Sequence, residues 1–411
     1  MDEAEIITDT HSALEGMSYK PAPSFRFLLS LAAHWQYGTA HVVLPNGERL
    51  TFRGRETGPE ATLVVHRDRF ARRSIIGGQL GFCEGYLDGD WSSPDPARWM
   101  ELFLRNEHHM EEVLIGQAWA RFLMKIPHLF RRNSRGGSKK NISKHYDLGN
   151  AFYSLWLDRG MTYSSAIFAE AAQDLEAAQQ NKYKILAQRL GVLPEHHVLE
   201  IGCGWGGFAE YVAKEIGARV TGITISEEQH KFAQRRIQHA GLSDRVEVLL
   251  KDYRDVSGQY DRIASIEMVE AVGESYWPQY FGILRDRLKP GGKAGLQAIT
   301  IDEGWFHDYR NTADFIQKYV FPGGMLPTKS IIARQTELAG MNLESMEGFG
   351  ADYARTLRRW QGTFESAWPD VSKLGGFDEK FKRTWELYLA YCEAGFCAGT
   401  IDVVHAVLTK Y

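Results

Sequence analysis

The residues with the clearest chemical potential are the glycines of VLEIGCGWGGFAEYV, residues 198 to 212, where Gly202, Gly204 and Gly207 fit the pattern GxGxxG. Glycines in a strand-to-helix loop let a nucleotide approach the backbone closely, and the helix that follows offers its N–H groups to it. The pattern alone fits a nicotinamide enzyme, a methyltransferase, or a loop that is glycine-rich only for packing. A nicotinamide cofactor calls for a carboxylate about 20 residues on, at the end of the second strand, to hold the ribose 2′-hydroxyl. Here the chain reads GITIS, and the first carboxylate, Glu227, falls inside the next helix. Many nicotinamide folds also begin with the loop, whereas about 195 residues precede it here. Both observations point to S-adenosylmethionine. Cys203, inside the loop, reads as a small packing residue rather than a nucleophile.

Such a loop needs a strand before it and a helix after it. From about residue 180 strand and helix patterns alternate: HVLEIG, FAEYVAKEIG, RVTGITI, EEQHKFAQRRIQHAG, RVEVLL, DRIASIE, a helix through YWPQYFGILRDRL, and KAGLQAIT. This predicts an α/β fold with a doubly wound parallel sheet. MNLESMEGF and TIDVVHAVLTK are expected to add edge strands, after a mostly helical, aromatic insertion over roughly 302–340. Residues 1–115 read as a smaller mixed α/β domain. It has strands in AHVVLPNGERLTFRG, with a Pro-Asn-Gly turn, and in ATLVVH, and a helix in DPARWMELFLRNEHHM. Residues 116–144 form a basic amphipathic linker, and 145–411 the catalytic domain.

At VLEIGCGWGG, VTGITISEEQ, DYRD and EMVEAVG the chain resembles the cyclopropane fatty acid synthase family of S-adenosylmethionine-dependent enzymes. HYDLGNAFYSLWLDRGMTYSSAIF, YVFPGGMLPT, FGADYARTLRRW and YLAYCEAGF carry the resemblance from about residue 140 to 411. It implies a class I methyltransferase (Rossmann-like) sheet. The N-terminal segment has the length expected of the bacterial phospholipid-modifying members. Carried over by motif, Gly202 and Gly204 face the amino-acid part of the cofactor, with Tyr163 and Ser164 closing over it. Thr224 and Gln229 hold the ribose hydroxyls, and Asp252, Tyr253 and Arg254 lie where the family binds adenine. The resemblance also implies a homodimer.

The reaction it implies is methylene transfer to the cis double bond of an acyl chain in a membrane phospholipid. An isolated alkene is a poor nucleophile, so it must be held in line with the sulfonium-to-methyl bond and away from water. Methyl transfer leaves a carbocation, and a base must take a proton from the added methyl for the ring to close. In this family the base is a bound bicarbonate ion. The implied cradle is Glu270, Tyr353, the backbone of Ile299, Ser165 and Gln297; His145 in KHYDLGN is a further catalytic candidate that the resemblance implies. Ser165 stands where the common bacterial pattern has Cys, and Gln297 where it has His. Both can still donate hydrogen bonds to an anion, and Gln also occurs in plant relatives that make cyclopropanes. If the cation were resolved otherwise, the product would be a methylene branch or a shifted alkene.

Plainer readings stand beside these. Glu270 could be a helix-cap or salt-bridge carboxylate, Tyr353 a packing residue, and His145 a helix-boundary histidine. Trp305, Phe306, Phe315, Trp385, Tyr388, Tyr391 and Phe396 read equally as core or as the lining of an acyl tunnel. A non-catalytic lipid-binding protein is the alternative of another class, disfavoured by the intact glycine loop together with Glu270.

Composition narrows the field. A net charge of −4 argues against a general nucleic-acid binder. The four cysteines show no CxxC pair, which disfavours both a disulfide framework and a zinc site. The acidic start MDEAEIITDT is wrong for a signal peptide, and no apolar run is long enough to cross a bilayer, so a cytoplasmic protein is expected. The stretch from 117 to 144 carries Arg121, Lys125, Arg131, Arg132, Arg135, Lys139, Lys140 and Lys144 among apolar residues and contains no acid. It suits a segment lying on the anionic inner face of a membrane, in peripheral association.

Overall fold

A computed structural model describes residues 5–6, 17–32, 34–116 and 148–411. His145 and the basic segment from 117 to 144 lie outside the described residues. The chain forms two compact units.

The first unit holds a five-stranded sheet of β1 (Glu5–Ile6), β2 (Tyr37–Val43), β3 (Arg49–Arg53), β4 (Glu56–Val65) and β5 (Trp91–Ser92), in the order β1-β3-β2-β4-β5. β2 and β3 pair antiparallel, and the Pro45-Asn46-Gly47 turn between them uses Gly47 at φ 90°, where a side chain would be strained. Among the described residues of its N-terminal part, helices α1 (Pro23–Ala32), α2 (Arg69–Leu87) and α3 (Pro96–Gly116) accompany the sheet. Thr312–Val320 and Gly376–Thr400 also belong to this unit. The helix Glu379–Ala398 packs along α3. Phe315, Trp385, Tyr388 and Phe396 are buried, and the Phe315 ring lies 6.0 Å from that of Tyr391. These aromatics serve the core of the first unit.

The second unit is built on seven strands, β6 (His197–Ile201), β7 (Arg219–Thr224), β8 (Val246–Leu250), β9 (Tyr260–Ile266), β10 (Leu288–Ile301), β11 (Met341–Gly348) and β12 (Ile401–Lys410). Their order is β11-β12-β10-β9-β6-β7-β8. β6 to β10 pair parallel, and β12 pairs antiparallel with both β10 and β11. The C-terminal run is therefore not an edge strand. It is an inner strand, and Val403, Val404, His405, Ala406, Val407 and Leu408 are all buried.

The helices between strands are α4 (Asn150–Ser154), α5 (Leu175–Leu190), α6 (Gly207–Tyr211), α7 (Glu227–His239), α8 (Val269–Val272), α9 (Trp277–Arg287), α10 (Glu303–Asn311, with Trp305 and Phe306), α11 (Lys329–Leu338) and α12 (Gly350–Val371). Their ends follow local chemistry. Asp174 caps α5 by accepting from the Ala177 N–H at 2.8 Å, and Gly191 ends it in the left-handed conformation. Ser226 caps α7, whose first turn carries Glu227 and Glu228 against the positive helix end. Alternation along β6 sends Val198 into a cluster with Leu186, Leu190 and Phe208, and Leu199 and Ile201 into another with Tyr280, Phe281 and Leu284. Each such side chain contributes about 1.5–3 kcal/mol on burial, so the carboxyl ends of β6, β9 and β10 are held on a rigid base.

Candidate active site

The glycine loop leaves the carboxyl end of β6 with Gly202 at φ 80°, Gly204 at φ 52° and Gly206 at φ 84°. Its Gly202 and Cys203 N–H groups both donate to the Ile223 carbonyl, at 3.0 and 2.9 Å, which ties the loop to β7. A Cβ on Gly202 would sit 2.9 Å from Met268 Cγ, whereas a Cβ on Gly204 would meet nothing within 4 Å. The loop is thus closed on the β9 side and open above Gly204, which leaves room for a ligand against bare backbone. Burial raises the Cys203 thiol well above its ordinary range, in keeping with a packing role.

At the end of β7 the Thr224 hydroxyl donates to Gln229 Oε1 at 2.8 Å, a polar pair where a nicotinamide fold would place its carboxylate. After β8, Asp252 accepts from Arg254 through the backbone N–H at 2.9 Å, through Nε at 2.9 Å and through Nη2 at 2.7 Å. Those bonds hold the Asp252 carboxyl below its usual range. Tyr253 packs its ring 5.6 Å from Tyr280. The loop, the Thr224–Gln229 pair and the Asp252–Arg254 turn follow three neighbouring parallel strands at their carboxyl ends, the usual place for a ligand in an open α/β sheet.

On the other side of the loop lies a buried polar cluster centred on a residue that sequence reasoning passed over, Glu267. It directly follows β9 and has φ 51°, a left-handed conformation rare for a side-chain-bearing residue. Its Oε1 accepts from the Ser165 backbone N–H at 2.9 Å and from Gln297 Nε2 at 2.7 Å, and its Oε2 accepts from the Tyr353 hydroxyl at 2.7 Å. Antiparallel register sets Gln297 opposite His405, and His405 Nε2 lies 3.0 Å from Gln297 Oε1. Burial pushes His405 well below its ordinary range. The ring is therefore neutral, donates from Nε2, and leaves the Gln297 amide nitrogen to face Glu267.

Glu270, one helical turn further on, accepts from the Ile299 N–H at 2.5 Å through Oε1. Its Oε2 is buried with no hydrogen-bond partner among the described residues. Burial and the neighbouring Glu267 charge push the Glu270 carboxyl up to about 8, so it holds a proton at neutral pH. Burial also raises Glu267, while the Lys182 charge and the bonds from Ser165, Tyr353 and Gln297 pull it back. Of the pair, Glu267 is the one whose charged form is stabilised, by Lys182 and by those three donors. The bicarbonate that the resemblance implies does not fit this arrangement: Gln297, Tyr353 and the Ser165 and Ile299 backbone N–H groups already donate to carboxylates of the chain itself.

Ser165 sits on an irregular segment whose backbone is satisfied by side chains from elsewhere in the unit. The Ala166 N–H donates to Thr356 Oγ1 at 3.1 Å, Gln179 Nε2 donates to the Ser164 carbonyl at 2.8 Å, and Asn181 Nδ2 donates to the Ile167 carbonyl at 2.9 Å. Lys182, on α5 and fully buried, donates to the Ser164 hydroxyl at 2.6 Å. Burial lowers its ammonium to about 8, against the attraction of Glu267, Asp158 and Glu200. Tyr163 packs among aromatic rings, 5.2 Å from Tyr153 and 5.3 Å from Trp360.

The structure therefore brings Ser165, Gln297 and Tyr353 together through Glu267, and pairs Glu270 with Ile299 beside them. Gly202, Gly204, Thr224, Gln229, Asp252, Tyr253 and Arg254 occupy the neighbouring strand ends. The sequence signal for Glu267 is in EMVEAVG, which holds two glutamates three apart, and the family motif points only to the second.

The family model for mycolic acid cyclopropane synthetases matches residues 133–406. The chain is 40% identical over 362 residues to the tuberculostearic acid methyltransferase of Mycobacterium tuberculosis, covering 85% of this chain and 83% of that protein. It is 37% identical over 356 residues to the cyclopropane-fatty-acyl-phospholipid synthase of Escherichia coli K12, covering 85% and 88%. Among solved structures, a mycolic acid cyclopropane synthase complexed with SAH and CTAB matches with a TM-score of 0.61 at 26% identity, over 66% of this chain and 98% of that one. A cyclopropane synthase from Mycobacterium tuberculosis matches with 0.62 at 29% identity over the same shares. An open strand-end groove without a ribose carboxylate, a buried acid cluster beside it and these matches agree: the chain belongs to the cyclopropane fatty acid synthase family, S-adenosylmethionine-dependent methyltransferases that act on lipid acyl chains.

Proposed function

We propose that the protein transfers the methyl carbon of S-adenosylmethionine to the cis double bond of an unsaturated acyl chain in a membrane phospholipid and closes a cyclopropane ring. The observation that carries this reading is the buried pair Glu267 and Glu270 beside the glycine loop. A carbocation next to a dry carboxylate loses a proton instead of capturing water. The resemblance to the cyclopropane-fatty-acyl-phospholipid synthase supports the phospholipid as substrate. Gly202 and Gly204 would face the amino-acid end of the cofactor beneath Tyr163 and Ser164, Thr224 and Gln229 its ribose, and Asp252, Tyr253 and Arg254 its adenine. The basic segment from 117 to 144 would bring the enzyme to the inner face of the membrane.

A second reading has its own support. The relative at 40% identity is named a methyltransferase and not a cyclopropane synthase, and Ser165 and Gln297 replace the Cys and His of the common cyclopropane pattern. A 1,2-hydride shift that moves the cation to the methyl-bearing carbon, followed by loss of a proton from the added methyl, would give an exomethylene branch with the same cofactor. One experiment separates them: incubation with S-adenosylmethionine and vesicles of a cis-monounsaturated phospholipid, then proton NMR of the product. Upfield ring protons support the cyclopropane, vinylic exomethylene signals support the branch, and absence of both rules out the proposed reaction.

A further inference from the structure

We propose that Glu267 is a built-in replacement for the bicarbonate ion: its carboxylate occupies the donor cradle and is itself the base that removes the proton after methyl transfer. This rests on the reaction proposed above. A free anion in this pocket would need hydrogen-bond donors. Among the described residues the Ser165 N–H, Gln297 Nε2 and the Tyr353 hydroxyl all converge on the one Glu267 carboxylate. The Ser165 hydroxyl donates to the Ala166 carbonyl, and the cluster's only donor left without a partner is the protonated Glu270 Oε2, one where a free anion needs several. The remaining cradle donor, the Ile299 N–H, is taken by Glu270. A bicarbonate ion could enter only by displacing a carboxylate that is covalently fixed at high effective concentration, and it would meet that negative charge at close range.

The backbone supports the same assignment. Glu267 adopts a left-handed conformation at φ 51°, which costs a side-chain-bearing residue of order 1 kcal/mol or more. That conformation carries the chain out of β9 so that Glu267 turns into the cluster while Met268 lies against Gly202 of the cofactor loop. The carboxylate is thus set one residue from the side chain that walls the loop. Gln297 completes the fit, since it accepts from His405 with one end and donates to Glu267 with the other.

The proton account closes. The sulfur-to-methyl bond breaks with its electron pair left on sulfur, and the alkene π pair forms the new carbon–carbon bond. A C–H bond of the added methyl then breaks, its pair closing the ring on the cationic carbon, and the proton passes to Glu267. Oε1 already accepts two hydrogen bonds and Oε2 accepts one, from Tyr353, so Oε2 retains a lone pair for it. Glu270, already protonated, does not compete.

The test uses the full-length protein. Carbon-13 NMR of labelled bicarbonate is expected to show no saturable binding to the wild type. Glu267→Gly, whose backbone conformation glycine adopts freely, should bind the ion in the vacated cradle. Turnover of the wild type should not change between bicarbonate-free and bicarbonate-containing buffer. Glu267→Gln should lose about 100-fold or more in turnover, the usual contribution of a positioned base, with unchanged S-adenosylmethionine affinity by calorimetry. Added bicarbonate or formate should partly restore Glu267→Gly. Saturable bicarbonate binding to the wild type, a bicarbonate requirement for its turnover, or wild-type turnover in Glu267→Gln would each overturn the proposal. The binding measurements are read without turnover, so they stand even if the protein yields no methylated lipid, a result that would count against the proposed reaction alone.

Discussion

Glu270→Gln should change how stability depends on pH, with a sign that the buried cluster dictates. Burial and the Glu267 charge raise the Glu270 carboxyl from its ordinary 4.5 to about 8. Between those values the folded protein holds a proton that the unfolded chain has released, so stability falls as pH rises through that window. At ~1.4 kcal/mol per pH unit the group alone removes up to ~5 kcal/mol between pH 4.5 and 8. Glutamine keeps the acceptor for the Ile299 N–H and cannot ionise, so the variant lacks this slope. Its amide nitrogen takes the place of the unpartnered Oε2, a cost that is the same at every pH. Glu200, raised to about 8 in the same unit, is common to both proteins and cancels in the difference. Thermal unfolding by circular dichroism from pH 5 to 8 should therefore show the variant gaining steadily on the wild type. For a domain of this size ~1 kcal/mol is roughly 2–4 °C, so the relative gain should reach ~10 °C or more. A difference in melting temperature that stays flat with pH would refute the argument that Glu270 is buried as a neutral acid.

Other outcomes follow from the same geometry. In Gly207→Ala the new Cβ would lie 2.6 Å from the Tyr183 hydroxyl oxygen, so the variant should lose ~1–3 kcal/mol of stability, read from denaturant midpoints; an unchanged midpoint would mean α5 and α6 are not in contact. Thr224→Val removes the donor to Gln229 Oε1 and should weaken S-adenosylmethionine binding about 2–10-fold, measured by calorimetry; full affinity would separate this pair from the ribose. Co-sedimentation with anionic liposomes should fall as salt rises, since each surface cation contributes ~1 kcal/mol and is screened within about 10 Å at 0.1 M; salt-independent binding would count against the basic segment.

The loops at the carboxyl ends of β6 and β7 were legible because their chemistry is local. Positive φ at Gly202 and Gly204 requires glycine, and the lack of a carboxylate after GITIS is visible in a few letters. The acid cluster was legible only in part, because its members are joined by strand register and not by spacing. Nothing in EMVEAVG says which glutamate meets the donors, since the left-handed turn at Glu267 decides it. Lys182 in LEAAQQNKYKILAQRL looks like a solvent-facing helix lysine until the segment holding Ser164 is laid over it. His405 was hidden because TIDVVHAVLTK gives no sign that β12 is flanked on both sides. The helix Glu379–Ala398 has the apolar pattern of any core helix, and its pattern does not say which core it joins.

The assignment of Thr312–Val320 and Gly376–Thr400 to the first unit governs how the protein must be made and cut. The helix that covers α3 is synthesised after β6 to β11, so the first unit cannot finish its core while it is the only part of the chain available. The sheet of the second unit, in turn, lacks its inner strand β12 until that same helix has been made. The two units complete their folding at nearly the same moment of synthesis, whichever started first. Deleting residues 1–116 to isolate the second unit would leave the helix that carries Trp385, Tyr388 and Leu389, all buried in the intact protein, without the α3 it packs along. A catalytic fragment would need that helix and the Thr312–Val320 segment removed as well.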